Sequence, residues 1–310
     1  MMLKKYLPTE SQQLQELQRT LSKEEEKYKS FKDATFTYQL WQRVPKCNLK
    51  LQELKPNFYD DTLKLIEDYY LVEEPLFQNM NVKEDKNSIL SIKTRVLNKL
   101  KDSTSIIALN EGNFLEVAGV LILVEVTRNY FSRDISRENL VHGSCHKKYV
   151  KLTSSLVQDV DLYGMFDCLT FLRIYALCIK PAYRHIGLGL KLFENAIYIA
   201  QSLKIPIIMG IFTDSCMQVL AEKIGMQEIK SIKYSEWRNS DGEQLFTNLR
   251  VDHKTCSLMV GKVHFPPPPQ PVAQPLVKFS RRRRRKTRRT RKKTRKRRIK
   301  IKTKRRKRNN

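Results

Sequence analysis

One segment of this chain has the residue types needed to hold a phosphate group. Ile179-Lys180-Pro181-Ala182-Tyr183-Arg184-His185-Ile186-Gly187-Leu188-Gly189 follows an apolar run and precedes an amphipathic one. The order predicts strand, turn, helix. Two glycines let the backbone of such a turn come close to a ligand. The first amides of a helix have no acceptor inside it, and the helix dipole favours an anion in front of them. A pyrophosphate fits there. The same R-x-x-G-x-G string also serves as a plain glycine-rich turn that holds nothing, so its surroundings decide.

Other groups of interest are fewer. Glu73 and Glu74 are adjacent acids beside Leu71, Pro75 and Leu76. Apolar neighbours and a nearby like charge both raise a carboxyl pKa, which would suit a proton acceptor working near neutrality. Solvated acids at a helix end are the plain alternative. His142-Gly143-Ser144-Cys145-His146 offers metal ligands, but no second cluster completes a site, so no metal is expected. The six cysteines include no C-x-x-C pair, and several lie in apolar runs. They read as core residues of a protein in a reducing, intracellular compartment. Cys178 is one of these, with a nucleophilic role as the sharper alternative.

The elements that would position these groups follow from periodicity. A polar helix is predicted over 9–33, with Leu14, Leu17, Leu21, Tyr28 and Phe31 on one seam. Strands are predicted at Phe36–Arg43 and Leu49–Leu54, then helices at Tyr59–Tyr70 and Asp85–Leu100. Ser105–Leu109 and Leu115–Val126 bracket a turn and read as a hairpin. Residues 128–153 read as irregular, and Ser154–Met165 as a helix. The rhythm then becomes strand (Leu169–Ile179), helix (Gly189–Leu203), strand (Ile205–Phe212), helix (Ser215–Ile224), with Glu228–Trp237 and Thr255–Val263 closing as strands. Antiparallel strands first and a βαβ unit later predict a mixed α/β sheet with helices on both faces.

Charge is concentrated at one end. Of 59 Lys and Arg residues, 22 lie in 281–310 with no acid, and the other 280 residues carry a net charge of only +5. A proline-rich stretch from His264 to Pro275 precedes this run and reads as an extended linker. The run itself cannot bury a core and should be disordered unless bound. Such density binds polyphosphates by counterion release, and no aromatic residue in it could stack on bases. Nucleic acid or another polyanion is the expected partner. A nuclear or nucleolar address is compatible with that, with the cytoplasm as alternative. The start MMLKKYLP has no apolar core of a secretory signal, and no apolar stretch is long enough for a spanning helix, so no membrane insertion is expected.

Trp41-Gln42-Arg43, Glu73-Glu74-Pro75-Leu76, Lys180–Gly189 and Ala221-Glu222-Lys223-Ile224-Gly225-Met226, in that order, resemble the GCN5-related N-acetyltransferase superfamily, and within it the insect arylalkylamine N-acetyltransferase-like group. The resemblance divides the chain into a helical arm (1–36), an N-acetyltransferase domain (37–263), a linker (264–280) and the basic tail (281–310), for which the family has no counterpart. It implies acetyl-CoA as cosubstrate and a small arylalkylamine-like amine as acceptor. It places the pantetheine arm along Leu177, Cys178 and Ile179, the pyrophosphate on Arg184–Gly189, and the general base at Glu74. Two serines that the better-studied members carry correspond here to Thr213 and Met217. Threonine keeps a hydroxyl and methionine does not, so the relay is incomplete unless a water or Tyr234 substitutes. The alternative is a catalytically weakened acetyltransferase fold that works on nucleic acid through its tail.

Overall fold

The computed structural model describes Gln15 and residues 40–44, 48–101, 104–112, 115–128, 140–238, 242–247 and 249–265. Apart from Gln15, the helix predicted over 9–33 lies outside them, as do the chain beyond Phe265 and the basic tail. Contacts divide the chain between Phe265 and Pro266.

Among the described residues, eight strands form one sheet: β1 (Leu40–Val44), β2 (Leu49–Glu53), β3 (Ile106–Glu111), β4 (Leu115–Thr127), β5 (Thr170–Ile179), β6 (Ile207–Phe212), β7 (Gln227–Lys233) and β8 (Thr255–Lys262). Their order is β1-β2-β3-β4-β5-β6-β8-β7. Neighbours are antiparallel except β5 and β6, which are parallel. The mixed sheet follows the predicted order, with the last strand inserted beside β6 and β7 displaced to the edge. Every residue of β6 is buried, as its unbroken apolar sequence requires of a central strand. β7 is mostly exposed and carries Lys230 and Lys233, charges that discourage edge-to-edge pairing.

Helices cover both faces. On one face, α1 (Tyr59–Leu65) runs through a π-helical segment (Ile66–Tyr70) into a last turn (Leu71–Glu73), followed by α2 (Pro75–Asn79) and α3 (Lys86–Leu100). Leu65, Ile66, Leu97 and Leu100 pack there on Ile107, Val120 and Ile122. Beside them lie α4 (Ser144–Gln158) and α5 (Leu162–Phe166), over Phe171, Met209 and Leu258. The opposite face holds α6 (Leu188–Ser202) and α7 (Ser215–Lys223). Leu192, Phe193, Ala196 and Ala200 of α6 repeat at helical spacing and close on Leu121, Leu172 and Ile208.

Two expectations fail in the same region. Residues 128–153 are not irregular throughout, because α4 begins at Ser144. Its inner face includes His146 and Thr153 among apolar residues, which blurs the periodicity. The helix predicted over Ser154–Met165 is in fact two, parted by a break after Gln158 at which Asp161 caps α5.

Asp85 ties α3 to α4. Its carboxylate accepts from the Ser88 amide at 2.9 Å, the Ser88 hydroxyl at 2.7 Å, and the Ser144 hydroxyl and Cys145 amide at 3.1 Å each. Partial burial opposes ionisation, but these donors outweigh it and bring the pKa down to about 2. A carboxyl held below its unfolded value of about 3.9 stabilises the fold above that pH and loses the contribution as pH falls toward its folded value. Asp85→Ala should cost about 1–2 kcal/mol at neutral pH in urea unfolding. The gap to the parent should close between roughly pH 4 and pH 2. A gap that does not change with pH would mean the carboxylate charge is not its source.

Candidate active site

The sheet opens at its centre. β5 and β6 pair only from Leu172 to Ile174, against Ile208 to Gly210, although β5 continues to Ile179. The register of β5 on β4 slips at the same point: Ala176 pairs with Ile122 and Ile174 with Leu123, so Tyr175 is the extra residue. A bulge bends its strand. Beyond Tyr175, β5 keeps β4 and parts from β6. Being parallel, the two strands end on the same side of the sheet, with the glycine turn after one and Thr213 after the other.

At the end of β5 the turn presents an open helix N-terminus. Gly187 precedes α6 with φ +82°, and no side chain caps the helix. A Cβ placed on Gly187 would meet no atom within 4 Å, so the space before the first amides is clear. His185 also sits in the left-handed region, at φ +61°, and is exposed like Ile186. Leu188 is buried. Gly189 faces the other way: a Cβ there would lie 3.1 Å from Leu220 Cδ1 and 3.6 Å from Ile179 and Leu177 side-chain atoms, so it permits close packing of α6. Arg184 donates through Nε to the Ile179 carbonyl at 2.8 Å and through Nη2 to Glu73 at 2.5 Å. Leu177 and Ile179 pack partly buried on the α6 side. Cys178 points to the opposite face, where its thiol donates to the Leu65 carbonyl at 3.5 Å and burial pushes its pKa up to about 12. That thiol is a core group.

The two adjacent acids part company. Pro75 disfavours the helical conformation for Glu74, which is extended at φ −60°, ψ 126°, and Pro75 itself opens α2. Glu73 therefore faces the turn and Arg184. Glu74 turns inward, is 6% exposed, and caps α2 through the Phe77 amide at 2.7 Å. Its other oxygen accepts the Thr213 hydroxyl at 2.6 Å. Burial is the largest influence and raises the pKa to about 7, against the lowering effect of the Thr213 and Phe77 hydrogen bonds. The like charge that adds to the rise is Asp214. Glu73, the neighbour in sequence, is not the cause.

Thr213 is 6% exposed and follows β6 directly. Met217, in the first turn of α7, packs partly buried against the α6 cluster. Ser215 turns instead to His253, whose Nδ1 is 3.4 Å from its hydroxyl and 3.5 Å from Asp214. Tyr234 is no spare proton donor, because its hydroxyl donates to the Thr213 carbonyl at 2.7 Å. Sequence reasoning missed His253 and the phenols of Tyr70 and Tyr149. Tyr149 stacks on Phe77 at 4.6 Å, and Tyr70 meets that ring edge-on at 6.2 Å. Burial, with a contribution from Glu74, raises both phenols and keeps them protonated. Nothing marked Tyr149, which lies in the stretch read as irregular.

Among the described residues no group of three or more His, Cys, Asp or Glu is placed to hold a metal ion, and no helix is long and apolar enough to cross a membrane.

No protein-family model matches the sequence, and no curated protein matches it. Solved structures do. Arylalkylamine N-acetyltransferase 2 from Aedes aegypti superposes with a TM-score of 0.63 at 21% identity, covering 70% of this chain and 100% of that one. A putative arylalkylamine N-acetyltransferase 7 from the same mosquito also gives 0.63, at 18% identity over 75% and 98% of the two chains. The Drosophila melanogaster polyamine N-acetyltransferase gives 0.59 at 17%, over 69% and 99%. The chain has the fold of the GCN5-related N-acetyltransferases.

Glu74 carries a stability signature. Folding raises its pKa from the ordinary carboxyl value to about 7, so the native state binds the proton more tightly than the unfolded chain. Its contribution is greatest below the unfolded pKa and is lost as pH rises through the folded one. Glu74→Gln, which cannot ionise, should therefore gain stability relative to the parent from about pH 4.5 to about pH 7, then hold level. Urea unfolding of both proteins across that range would show it. A constant difference would mean that Glu74 titrates normally.

Proposed function

We propose that this chain transfers an acetyl group from acetyl-CoA to an amine, with a small arylalkylamine-like amine as acceptor. The observation that carries the proposal is the buried Glu74–Thr213 pair, set where two parallel strands part, with Thr213 after the end of one and an uncapped helix after the end of the other. The solved structures of the same fold add support, since their names specify arylalkylamine and polyamine acetylation.

The residues fit such a cosubstrate. The clear space before Gly187 and the free first amides of α6 suit a pyrophosphate, with Arg184, His185, Ile186, Leu188 and Gly189 completing the turn. Beyond the bulge, the backbone of Leu177, Cys178 and Ile179 is the edge along which a pantetheine arm would lie. When bound, acetyl-CoA would supply the thioester carbon, to which the amine nitrogen bonds as the C–S bond breaks and CoA leaves, ending as its free thiol. Glu74 takes the ammonium proton, and burial gives it the basicity to do so near neutrality. The Thr213 hydroxyl fixes which carboxylate oxygen is engaged.

A fold with weakened catalysis is the second reading, and Met217 favours it, since a thioether relays no proton. Calorimetry of the full chain with acetyl-CoA, beside steady-state kinetics on aryl- and polyamine acceptors, separates the two. Gly187→Val forces a β-branched residue into a left-handed conformation at the proposed anion seat and should abolish acetyl-CoA binding while the fold survives. Glu74→Gln should lower kcat/KM by roughly two to four orders of magnitude at neutral pH, and by less at high pH, where more of the amine is already neutral. Equal affinity in Gly187→Val would displace the phosphate site, and an unchanged rate in Glu74→Gln would remove Glu74 from the reaction.

We also propose that residues 281–310 bind nucleic acid or another polyanion and address the protein to the nucleus or nucleolus. The charge run motivates this, with 22 basic residues and no acid. Counterion release should give a salt slope of about −0.9 per duplex phosphate contacted, so roughly ten contacts would lose on the order of 10⁵ in affinity between about 50 and 200 mM salt. Duplex sequence should matter little. Deleting residues 281–310 should abolish the binding and the nuclear location, and leave acetyl-CoA binding intact. Equal nucleic-acid affinity after the deletion would place the interaction in the body of the chain.

A further inference from the structure

The Thr213 hydroxyl can hold Glu74 only if the Thr213 backbone is itself fixed, and the sheet does not fix it. The last pair between β6 and β8 is Phe212 with Ser257. Thr213 is the first residue beyond that ladder and precedes Asp214, the cap of α7. It also stands on the side of the sheet where β5 has already parted from β6. What meets its carbonyl is the hydroxyl of Tyr234, at 2.7 Å.

Tyr234 is well placed for that task. It is 2% exposed and lies just past β7. Its amide donates to the Lys254 carbonyl at 3.0 Å, which ties it to the start of β8. Its ring meets Phe246 edge-on at 5.7 Å and packs within the cluster that includes Leu76 and Met209. The residue is thus held at its main chain and around its ring, and its hydroxyl proton is committed to one acceptor. Burial keeps the phenol far above its ordinary pKa, so it has no tendency to give that proton away.

We infer that Tyr234 is a positioning residue for the base: its hydroxyl anchors the Thr213 main chain and so keeps the Thr213 hydroxyl on the Glu74 carboxylate. The inference rests on the acetyl-transfer reading for its kinetic consequences alone. The contact chain Tyr234–Thr213–Glu74 runs through one backbone residue and two hydrogen bonds of 2.7 and 2.6 Å. Loosening the first should weaken the second. The Thr213 bond favours the ionised form of Glu74, so its weakening should raise the Glu74 pKa further.

The test uses the full chain and its Tyr234→Phe, Thr213→Val, Thr213→Ser and doubly substituted Tyr234→Phe/Thr213→Val variants. Phenylalanine keeps the ring and its packing. The Glu74 carboxyl is titrated by carbon NMR, and kinetics are measured where an acceptor turns over. Tyr234→Phe should raise the Glu74 pKa by about half a unit to one unit, the equivalent of one net hydrogen bond. It should lower kcat about three- to tenfold below pH 7, with KM for acetyl-CoA unchanged. Thr213→Val should raise the pKa at least as much, and Thr213→Ser should leave it near the parent value. In the double variant the Tyr234 effect should vanish, because its route is gone. A folded Tyr234→Phe with the parent Glu74 pKa would overturn the inference, as would additive shifts in the double variant. Absence of acetyl-CoA binding in the parent would count against the acetyl-transfer reading and leave the titration able to decide on Tyr234.

Discussion

Burying Glu74 sets the terms for the elements around it. A carboxylate removed from water is tolerated only when its oxygens find donors. Here each oxygen has one, a backbone amide on one side and a hydroxyl on the other. Neither donor is local by accident. Pro75 ends one helix and starts the next, which aims the Phe77 amide at Glu74. The π segment before it adds a residue to the turn that feeds into this junction, as such segments often do near functional groups. The hydroxyl comes from 139 positions away, so the helix junction and the end of β6 must meet for both carboxyl oxygens to find donors.

The same constraint explains the broken sheet. A continuous ladder between β5 and β6 would bring their ends together and close the space beside Thr213. The bulge at Tyr175 prevents this, and the parting begins at the residue next to it. Little is lost, because β5 stays paired with β4 on the other edge from Thr170 to Ile179, apart from the bulged Tyr175. β6 likewise retains β8 as far as Phe212. The opening is thus flanked by strands that are each held on their far side, which makes it a fixed feature of the sheet.

The sequence made much of this readable where apolar spacing is regular. The α6 stripe, the buried β6 run, the β3–β4 hairpin and the glycine turn were all visible as patterns. The features that shape the site were not. A bulge and a π segment each insert one residue without disturbing the apolar alternation enough to be seen. α4 was hidden by His146 and Thr153, polar residues buried in place of apolar ones. His146 is tolerated there because its Nδ1 lies 2.9 Å from the Ser91 hydroxyl and burial keeps it neutral, with a pKa near 3. The Glu74–Thr213 pair came from the family resemblance, since no spacing rule connects residues 74 and 213. The resemblance also suggested no role for Glu73, which adjacency in the chain had grouped with Glu74 and which is paired with Arg184.

The methionine at position 217 has a physical reading on the proposed chemistry. Its side chain packs against the α6 cluster, so the hydroxyl a serine would place there is exchanged for apolar contact that steadies α7 on the sheet. A second hydroxyl matters most when the base itself cannot return a proton. A carboxyl titrating near 7 is different, because it accepts a proton from an ammonium group and is also acidic enough to release one at the same pH. Burial supplies that balance, and the Thr213 bond limits how far it goes. A more exposed Glu74 would be too weak a base, and one without Thr213 would stay protonated at neutrality. On the proposed chemistry, the tuning of one carboxylate would take over part of what a second hydroxyl would otherwise do, and the interactions that hold Thr213 in place would belong to the proton chemistry.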